Sequence, residues 1–188
     1  MSDDVRLPAT PGQTVGPFFG YALPYEHDNE LVPPTHPDAI RFHGRVLDGA
    51  GDPVPDALVE IWQSDADGRV PRVGGSLRRD GWTFTGWGRV ATDNTGTFSF
   101  STLRPGSTGS GTPFFAVTVV ARGLLNRLFT RAYLPTAESV DTDRFLLSVD
   151  PARRTTLIAV ADADGLRFDI RLQGPDETVF LRYPDDRA

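Results

Sequence analysis

Residues 43–68, with the sequence HGRVLDGAGDPVPDALVEIWQSDADG, contain a strand, a turn, a second strand and a second turn. Residues 41–47 and 57–63 are rich in the residue types typical of β-strands, and Val59-Glu60-Ile61 alternates as a half-buried strand does. Residues 48–56 between them hold two Gly, two Pro and three Asp, the composition of a turn. Residues 64–68 have turn chemistry as well. The stretch therefore predicts an antiparallel strand pair of the kind found in β-sandwiches.

The remainder of the chain adds further short strands separated by turn residues. Residues 96–102 alternate in polarity, and residues 155–161 and 166–172 flank a Gly-containing turn. Only one short helix, within residues 138–149, is predicted. We expect an all-β fold, a single-domain antiparallel β-sandwich covering residues 1–188, with long loops and an extended N-terminal arm and loop over residues 1–38. The other predicted strands are residues 113–121, which read as buried on both faces, 127–134 and 177–183.

Composition excludes several classes of function. The chain has 188 residues and a formal net charge of −6, with no basic block to neutralise nucleic-acid phosphates. It has no Cys, so neither disulfides nor thiolate metal sites are expected. No apolar run is long enough to span a membrane, and the acidic N-terminus lacks the apolar region of a secretory signal. A cytoplasmic location is the expectation.

Aromatic residues stand out in two of the predicted loops. Phe18 and Phe19 follow a Gly- and Pro-containing segment, and burial of both would pin the arm to the body of the protein. Trp82 and Trp87 lie close together, which indicates packing either over a sheet face or against a partner, with a place in the core favoured. Residues 21–38 are acidic and Pro-rich, which predicts an exposed loop.

The first strand pair also carries a specific sequence pattern. Residues 44–63 read G-x-V-x-D-x-x-G-x-P-V-x-x-A-x-V-E-I-W-Q, and Ala66-Asp67 and Gly68 follow. This pattern closely resembles the signature of the intradiol ring-cleaving dioxygenases. Residues 10–18, T-P-G-Q-T-V-G-P-F, and the C-terminal segment 156–180 resemble further parts of that family. The resemblance covers nearly the whole chain, and it implies a β-sandwich core and an O2-dependent opening of a catechol ring.

The resemblance also implies a ferric ion held by two Tyr and two His. This chain lacks Tyr and His at the positions that correspond to those ligands. The family's P-G-x-Y-P run corresponds to residues 105–108, P-G-S-T, and its H-x-H pair corresponds to Phe114 and Ala116. No Tyr occurs between Tyr25 and Tyr133. We therefore expect no metal-ligating or catalytic residue here. The resemblance is to the iron-free alpha subunits of the family, whose Fe(III) is held by a partner beta subunit in a hetero-oligomer of αβ units.

Four residues match positions of the alpha subunits that reach the substrate pocket: Thr14, Gly16, Pro17 and Arg131. The substrate that this implies is protocatechuate, a catechol with a carboxylate, which is cleaved with O2 to 3-carboxy-cis,cis-muconate. A guanidinium on a strand is a bidentate donor suited to a carboxylate. A surface or interface salt bridge is the alternative role for Arg131. For the whole chain, the alternative is a metal-free, transthyretin-like β-sandwich that serves as a binding or scaffold protein.

Overall fold

Two β-sheets form the body of the computed structural model, which describes residues 16, 18–73, 79–109, 111–135 and 141–183. The helices in these residues are short: α1 (Phe19–Ala22), α2 (Arg144–Ser148) and a 3-10 helix (Arg154–Leu157). The strands described are β1 (Ile40–Leu47), β2 (Leu58–Trp62), β3 (Trp87–Ala91), β4 (Thr97–Thr102), β5 (Phe114–Val120), β6 (Leu128–Tyr133), β7 (Val160–Asp162), β8 (Gly165–Arg167) and β9 (Ile170–Arg171). The all-β prediction is confirmed.

The two sheets differ in strand direction. The first has the order β4-β1-β8-β7, and β9 also pairs with β1. In this sheet β1 runs antiparallel to β4 but parallel to β8 and β9, so the sheet is mixed. The second sheet has the order β3-β2-β5-β6 and is antiparallel throughout. The prediction that the strands on either side of the 48–56 turn form an antiparallel pair is wrong. These strands, β1 and β2, lie in different sheets, so the turn connects the two layers.

The core fills the space between the sheets with aromatic and branched side chains. Phe42 on β1 is fully buried and lies at the centre, with its ring centroid 4.2 Å from that of Phe115 on β5. Phe98 and Phe100 on β4 add rings on the same side, because the strand alternates between half-buried and buried positions. Rings at these separations contribute beyond the apolar area they bury. Contacts of this kind hold the two layers face to face.

Gly44 of the signature is required by the close approach of another segment of the chain to β1. The backbone N–H of Phe168 donates to the carbonyl of His43, which brings the Phe168 backbone against β1. A Cβ at residue 44 would overlap the Phe168 carbonyl and lie 3.0 Å from the ring of Phe98. Since backbone and ring approach from two sides, only glycine fits.

Several local expectations need correction. Strand β5 is not buried on both faces, because its alternate residues, such as Ala116, are only half-buried on the outer face of the sheet. Within the loop expected to be exposed, Leu31 and Val32 are buried, since both donate their N–H to the carbonyl of Ser101 on β4. Residues 177–183 form no strand; Leu181 makes only an isolated bridge to Phe129.

The aromatic residues of the loops also divide differently from the expectation. Phe19 is 6% exposed, whereas Phe18 is 76% exposed. Trp87 is buried beneath the ring of Tyr25, but Trp82 is 92% exposed. Trp82 projects because it lies in a turn whose N–H groups donate to Asp80 rather than in a strand. The prediction that both Trp pack in the core is wrong for Trp82.

No helix of the described residues combines the length and the apolar character needed to cross a membrane.

Candidate functional site

The predicted substrate-contact residues lie in two parts of the chain. Arg131 is on β6, and Gly16 has a φ of +76°, a conformation that favours glycine. Thr14 and Pro17 lie outside the described residues. Of the four predicted residues, Arg131 and Gly16 lie within the described part of the chain.

The pairing of β5 with β6 places Arg131 on the outer face of the second sheet. Ala116 lies opposite Arg131, and Phe114 lies opposite Tyr133. Residues opposite one another in an antiparallel pair project to the same face, and so do residues two apart along a strand. The side chains of Phe114, Ala116, Arg131 and Tyr133 therefore share one surface.

The guanidinium of Arg131 has aromatic neighbours. Its Cζ lies 4.4 Å from the ring centroid of Phe114 and 5.0 Å from that of Phe145 on α2. Nη1 donates a hydrogen bond of 3.0 Å to the phenol oxygen of Tyr133. Within the part of the chain that the structure describes, none of the ion pairs involves Arg131.

A second, smaller hydrophobic cluster supports this arrangement. Tyr133, Leu146 and Leu157 are fully buried, and Phe114 and Phe145 pack against them. The cluster forms because α2 and the 3-10 helix cover one end of the outer face of the sheet. Burial raises the pKa of the Tyr133 phenol, although the hydrogen bond from Arg131 opposes the shift. The phenol is therefore neutral at physiological pH and accepts from Arg131.

Helix α2 is held in place by Asp143 at its N-terminus. The carboxylate of Asp143 accepts from the backbone N–H groups of Phe145 and Leu146. Its second oxygen accepts from the N–H of Thr112, in the segment before β5. This cap fixes the helix, and with it Phe145, against the strand that carries Phe114. The predicted helix within residues 138–149 is thus present over Arg144–Ser148, while residues 136–140 are outside the described part.

The positions that resemble the family's His ligands offer no metal ligand here. Phe114 has no donor atom and is part of the aromatic surroundings of Arg131, and Ala116 ends at its Cβ. No group of three or more His, Cys, Asp or Glu with metal-binding geometry occurs among the described residues. His43, in the other sheet, interacts with Asp162 at 3.3 Å. Phe114, Ala116 and the described His, Asp and Glu residues thus do not fit the ferric ion of the family.

Other residues of the signature have structural partners. Oε1 of Glu60 accepts from Nε of Arg89 at 2.8 Å, and Arg89 lies 5.0 Å from the ring of Trp87. Glu60 is thus a half-buried ion-pair residue. Trp62 is 47% exposed beside Ala116, on the same face as Arg131. Both Asp-Ala-Asp-Gly segments form turns, as expected; Asp65 accepts from the N–H of Arg69, and Asp162 from that of Asp164.

Sequence analysis missed the three aromatic neighbours of Arg131. Tyr133 could have been found, since it is two residues further along a predicted strand and so shares a face with Arg131. The sequence pattern identifies Phe114 only as a replacement for a His ligand of the family. Phe145 lies on a separate helix, and no pattern in the sequence places it beside β6.

The fold is that of a β-sandwich similar to known dioxygenases. The family described as Dioxygenase matches residues 15–174. The protocatechuate 3,4-dioxygenase alpha chain of Burkholderia cepacia is 40% identical over 194 residues, covering 93% of this chain and 98% of its own length. This chain therefore belongs to the intradiol dioxygenase family.

Two further relatives extend the comparison. The protocatechuate 3,4-dioxygenase beta chain of Burkholderia cepacia is 33% identical over 161 residues, or 77% of this chain and 68% of its own length. Among solved structures, the dioxygenase domain of a dioxygenase and carbohydrate-binding protein fusion from Streptomyces sp. SirexAA-E superposes with a TM-score of 0.59. It is 26% identical and is matched over 89% of this chain and 99% of its own.

Proposed function

We propose that this chain is the non-iron-binding alpha subunit of a protocatechuate 3,4-dioxygenase. It would complete an active site with an Fe(III)-bearing beta subunit, and the assembly would cleave protocatechuate with O2 to 3-carboxy-cis,cis-muconate. The observation that carries the proposal is the 40% identity to an alpha chain over almost the whole of both sequences. The side chains at Phe114 and Ala116 support it, since neither can serve as an iron ligand.

The proposed partner is a homologous beta chain. Chains named alpha and beta occur in the same organism, and both are related to this one. The exposed aromatic side chains Phe18, Tyr21 and Trp82 are candidates for the contact with that partner, because large aromatic residues are enriched at protein interfaces. A hetero-oligomer of αβ units in the cytoplasm, with residues 1–188 as one domain, is part of the same proposal.

Arg131, Thr14, Gly16 and Pro17 are proposed as substrate-binding residues. Arg131 is a half-buried cation with one protein hydrogen bond in the described structure, so its other N–H groups can bind a carboxylate. Such a contact would orient the catechol hydroxyls towards the partner chain. The four positions are carried over from the family resemblance, and the environment of Arg131 is the physical support for one of them.

Co-expression tests the subunit assignment. We expect the chain expressed alone to contain far less than one iron per chain and to lack ring-cleaving activity. Co-expressed with a homologue that carries the P-G-x-Y-P and H-x-H motifs, the chain should co-purify with it. The complex should contain iron and should consume O2 when protocatechuate is added. One tightly bound iron in the isolated chain would contradict the proposal. A stable monomer that never associates with the homologue would favour the scaffold alternative.

Arg131→Ala in the assembled enzyme tests the substrate role. A hydrogen bond between charged groups contributes about 1.5 to 3 kcal/mol, so kcat/KM for protocatechuate should fall about ten- to a hundredfold. Catechol has no carboxylate and should lose much less. Iron content and assembly should be unchanged. Equal losses on both substrates would assign Arg131 to structure instead.

A further inference from the structure

The guanidinium of Arg131 is held by three aromatic residues, Phe114, Phe145 and Tyr133, which we call the aromatic clamp. The rings of Phe114 and Phe145 lie 4.4 and 5.0 Å from Cζ, and the phenol oxygen of Tyr133 accepts from Nη1. The clamp brings together residues from β5, β6 and α2. Three separate elements thus converge on one cation.

An aromatic clamp restrains a cation without neutralising its charge. Ring faces attract a guanidinium through their quadrupole, whereas a carboxylate would occupy its N–H donors. Arg89, on the same sheet, shows the contrast: Nε and Nη2 both donate to Oε1 of Glu60. Arg89 is therefore a satisfied ion-pair residue, while the described residues leave donors of Arg131 available for an outside anion.

Arg131 also has a small residue beside it. Ala116, opposite Arg131 in the register, ends at Cβ, and the half-exposed Trp62 lies on the far side of Ala116. A planar aromatic acid could approach over this face. Phe114 stands at the position of a His that binds iron in the family, and here its ring contacts the guanidinium of Arg131.

We propose that Phe114, Phe145 and Tyr133 are positioning residues that hold the Arg131 guanidinium in the orientation in which it binds the substrate carboxylate. The inference rests on the proposed substrate role of Arg131. Because a guanidinium loses rotamer freedom when it binds, holding it in advance strengthens binding. The clamp residues act through Arg131 and need no contact with the substrate.

The test uses the assembled complex with its iron-bearing partner and compares Phe145→Leu, Phe145→Tyr and Tyr133→Phe. Phe145→Leu removes a ring face, Phe145→Tyr restores it, and Tyr133→Phe removes only the hydrogen-bond acceptor. Phe129→Leu is the matched control, because Phe129 lies on β6, as Arg131 does, and its ring centroid is 5.1 Å from Cζ of Arg127, just before the strand. Dissociation constants for protocatechuate and for catechol are measured without O2 by calorimetry, together with thermal unfolding.

Phe145→Leu and Tyr133→Phe should each weaken protocatechuate binding about three- to tenfold, the range that corresponds to a cation–π contact or one hydrogen bond. Catechol binding should change less than twofold for the same variants. Phe145→Tyr and Phe129→Leu should bind both ligands as the parent does. Equal weakening for both ligands, or an effect no larger than that of Phe129→Leu, would overturn the clamp.

Arg131→Ala, measured in the same experiment, distinguishes the proposed substrate role of Arg131 from the proposed role of the aromatic clamp. If Arg131→Ala weakens protocatechuate selectively while the clamp variants do not, the substrate role stands and the clamp fails. If Arg131→Ala shows no selectivity, the substrate role of Arg131 fails, and the clamp fails with it.

Discussion

Replacement of Gln63 should destabilise the contact between the two sheets. Gln63 directly follows β2, and Thr102 is the last residue of β4 in the opposite sheet. Oε1 of Gln63 accepts from the Thr102 hydroxyl at 2.5 Å, while Nε2 donates to the carbonyls of Leu103 at 2.9 Å and Ser64 at 3.1 Å. Gln63 is 5% exposed and Thr102 is fully buried. The last residue of the signature is thus a polar cross-link between the layers.

The magnitude follows from these three hydrogen bonds. Gln63→Leu keeps a similar volume but removes all three, and each contributes about 1 kcal/mol net, with more lost where a buried group is left without a partner. We expect a loss of about 3 to 5 kcal/mol of local stability. Thr102→Val removes one hydrogen bond and should cost about 1 to 2 kcal/mol. The double variant should cost less than the sum, because the two residues share one bond.

Amide hydrogen exchange in the co-purified assembly measures this effect without requiring two-state unfolding. Amides of β2 and β4 should exchange at least about a hundredfold faster in Gln63→Leu, as expected from the loss in opening free energy. Gln173→Leu is the control, since Gln173 is exposed and its side chain forms no hydrogen bond within the described residues. If Gln63→Leu accelerates exchange no more than Gln173→Leu does, the cross-link does not stabilise the sandwich and the reasoning is refuted.

Two further predictions concern packing and assembly. Gly44→Ala should destabilise the chain by about 2 kcal/mol or more, because the new Cβ overlaps the Phe168 carbonyl. Ala50→Gly, in the exposed turn, is the comparison. Equal melting temperatures of the two variants would contradict the prediction. Trp82→Ser should leave the fold intact, since the side chain is 92% exposed, but should weaken association with the iron-bearing partner. Unchanged co-purification and an unchanged association constant would exclude Trp82 from the interface.

The sequence predicts the position of a strand well where the alternation of polar and apolar residues is clear. Residues 96–102 alternate in polarity, and the structure has β4 at Thr97–Thr102 with alternate residues buried. The turn residues between β1 and β2 likewise marked the connection, since Gly51 has a φ of +89° there. The family signature added the expectation of a sandwich, and the fold agrees with it.

Such patterns do not predict which strands pair when the strands are far apart in the sequence. The parallel neighbours of β1, which are β8 and β9, come from the other end of the chain. Parallel pairing depends on where the intervening chain returns, and no periodicity in a strand encodes this. In the same way, the apolar run of β5 indicated burial on both faces, whereas only one end of its outer face is covered by α2.

The candidate site also has features that the sequence predicts and features that depend on the tertiary structure. The sequence determined that Arg131 lies on a strand and that Phe114 and Ala116 replace His, because these are properties of single positions in a recognisable pattern. Only the tertiary structure decided that Arg131 lies between Phe114 and Phe145, since Phe145 reaches it from α2. A cation's neighbours depend on which elements pack together in three dimensions, and packing of this kind is a property of the whole fold.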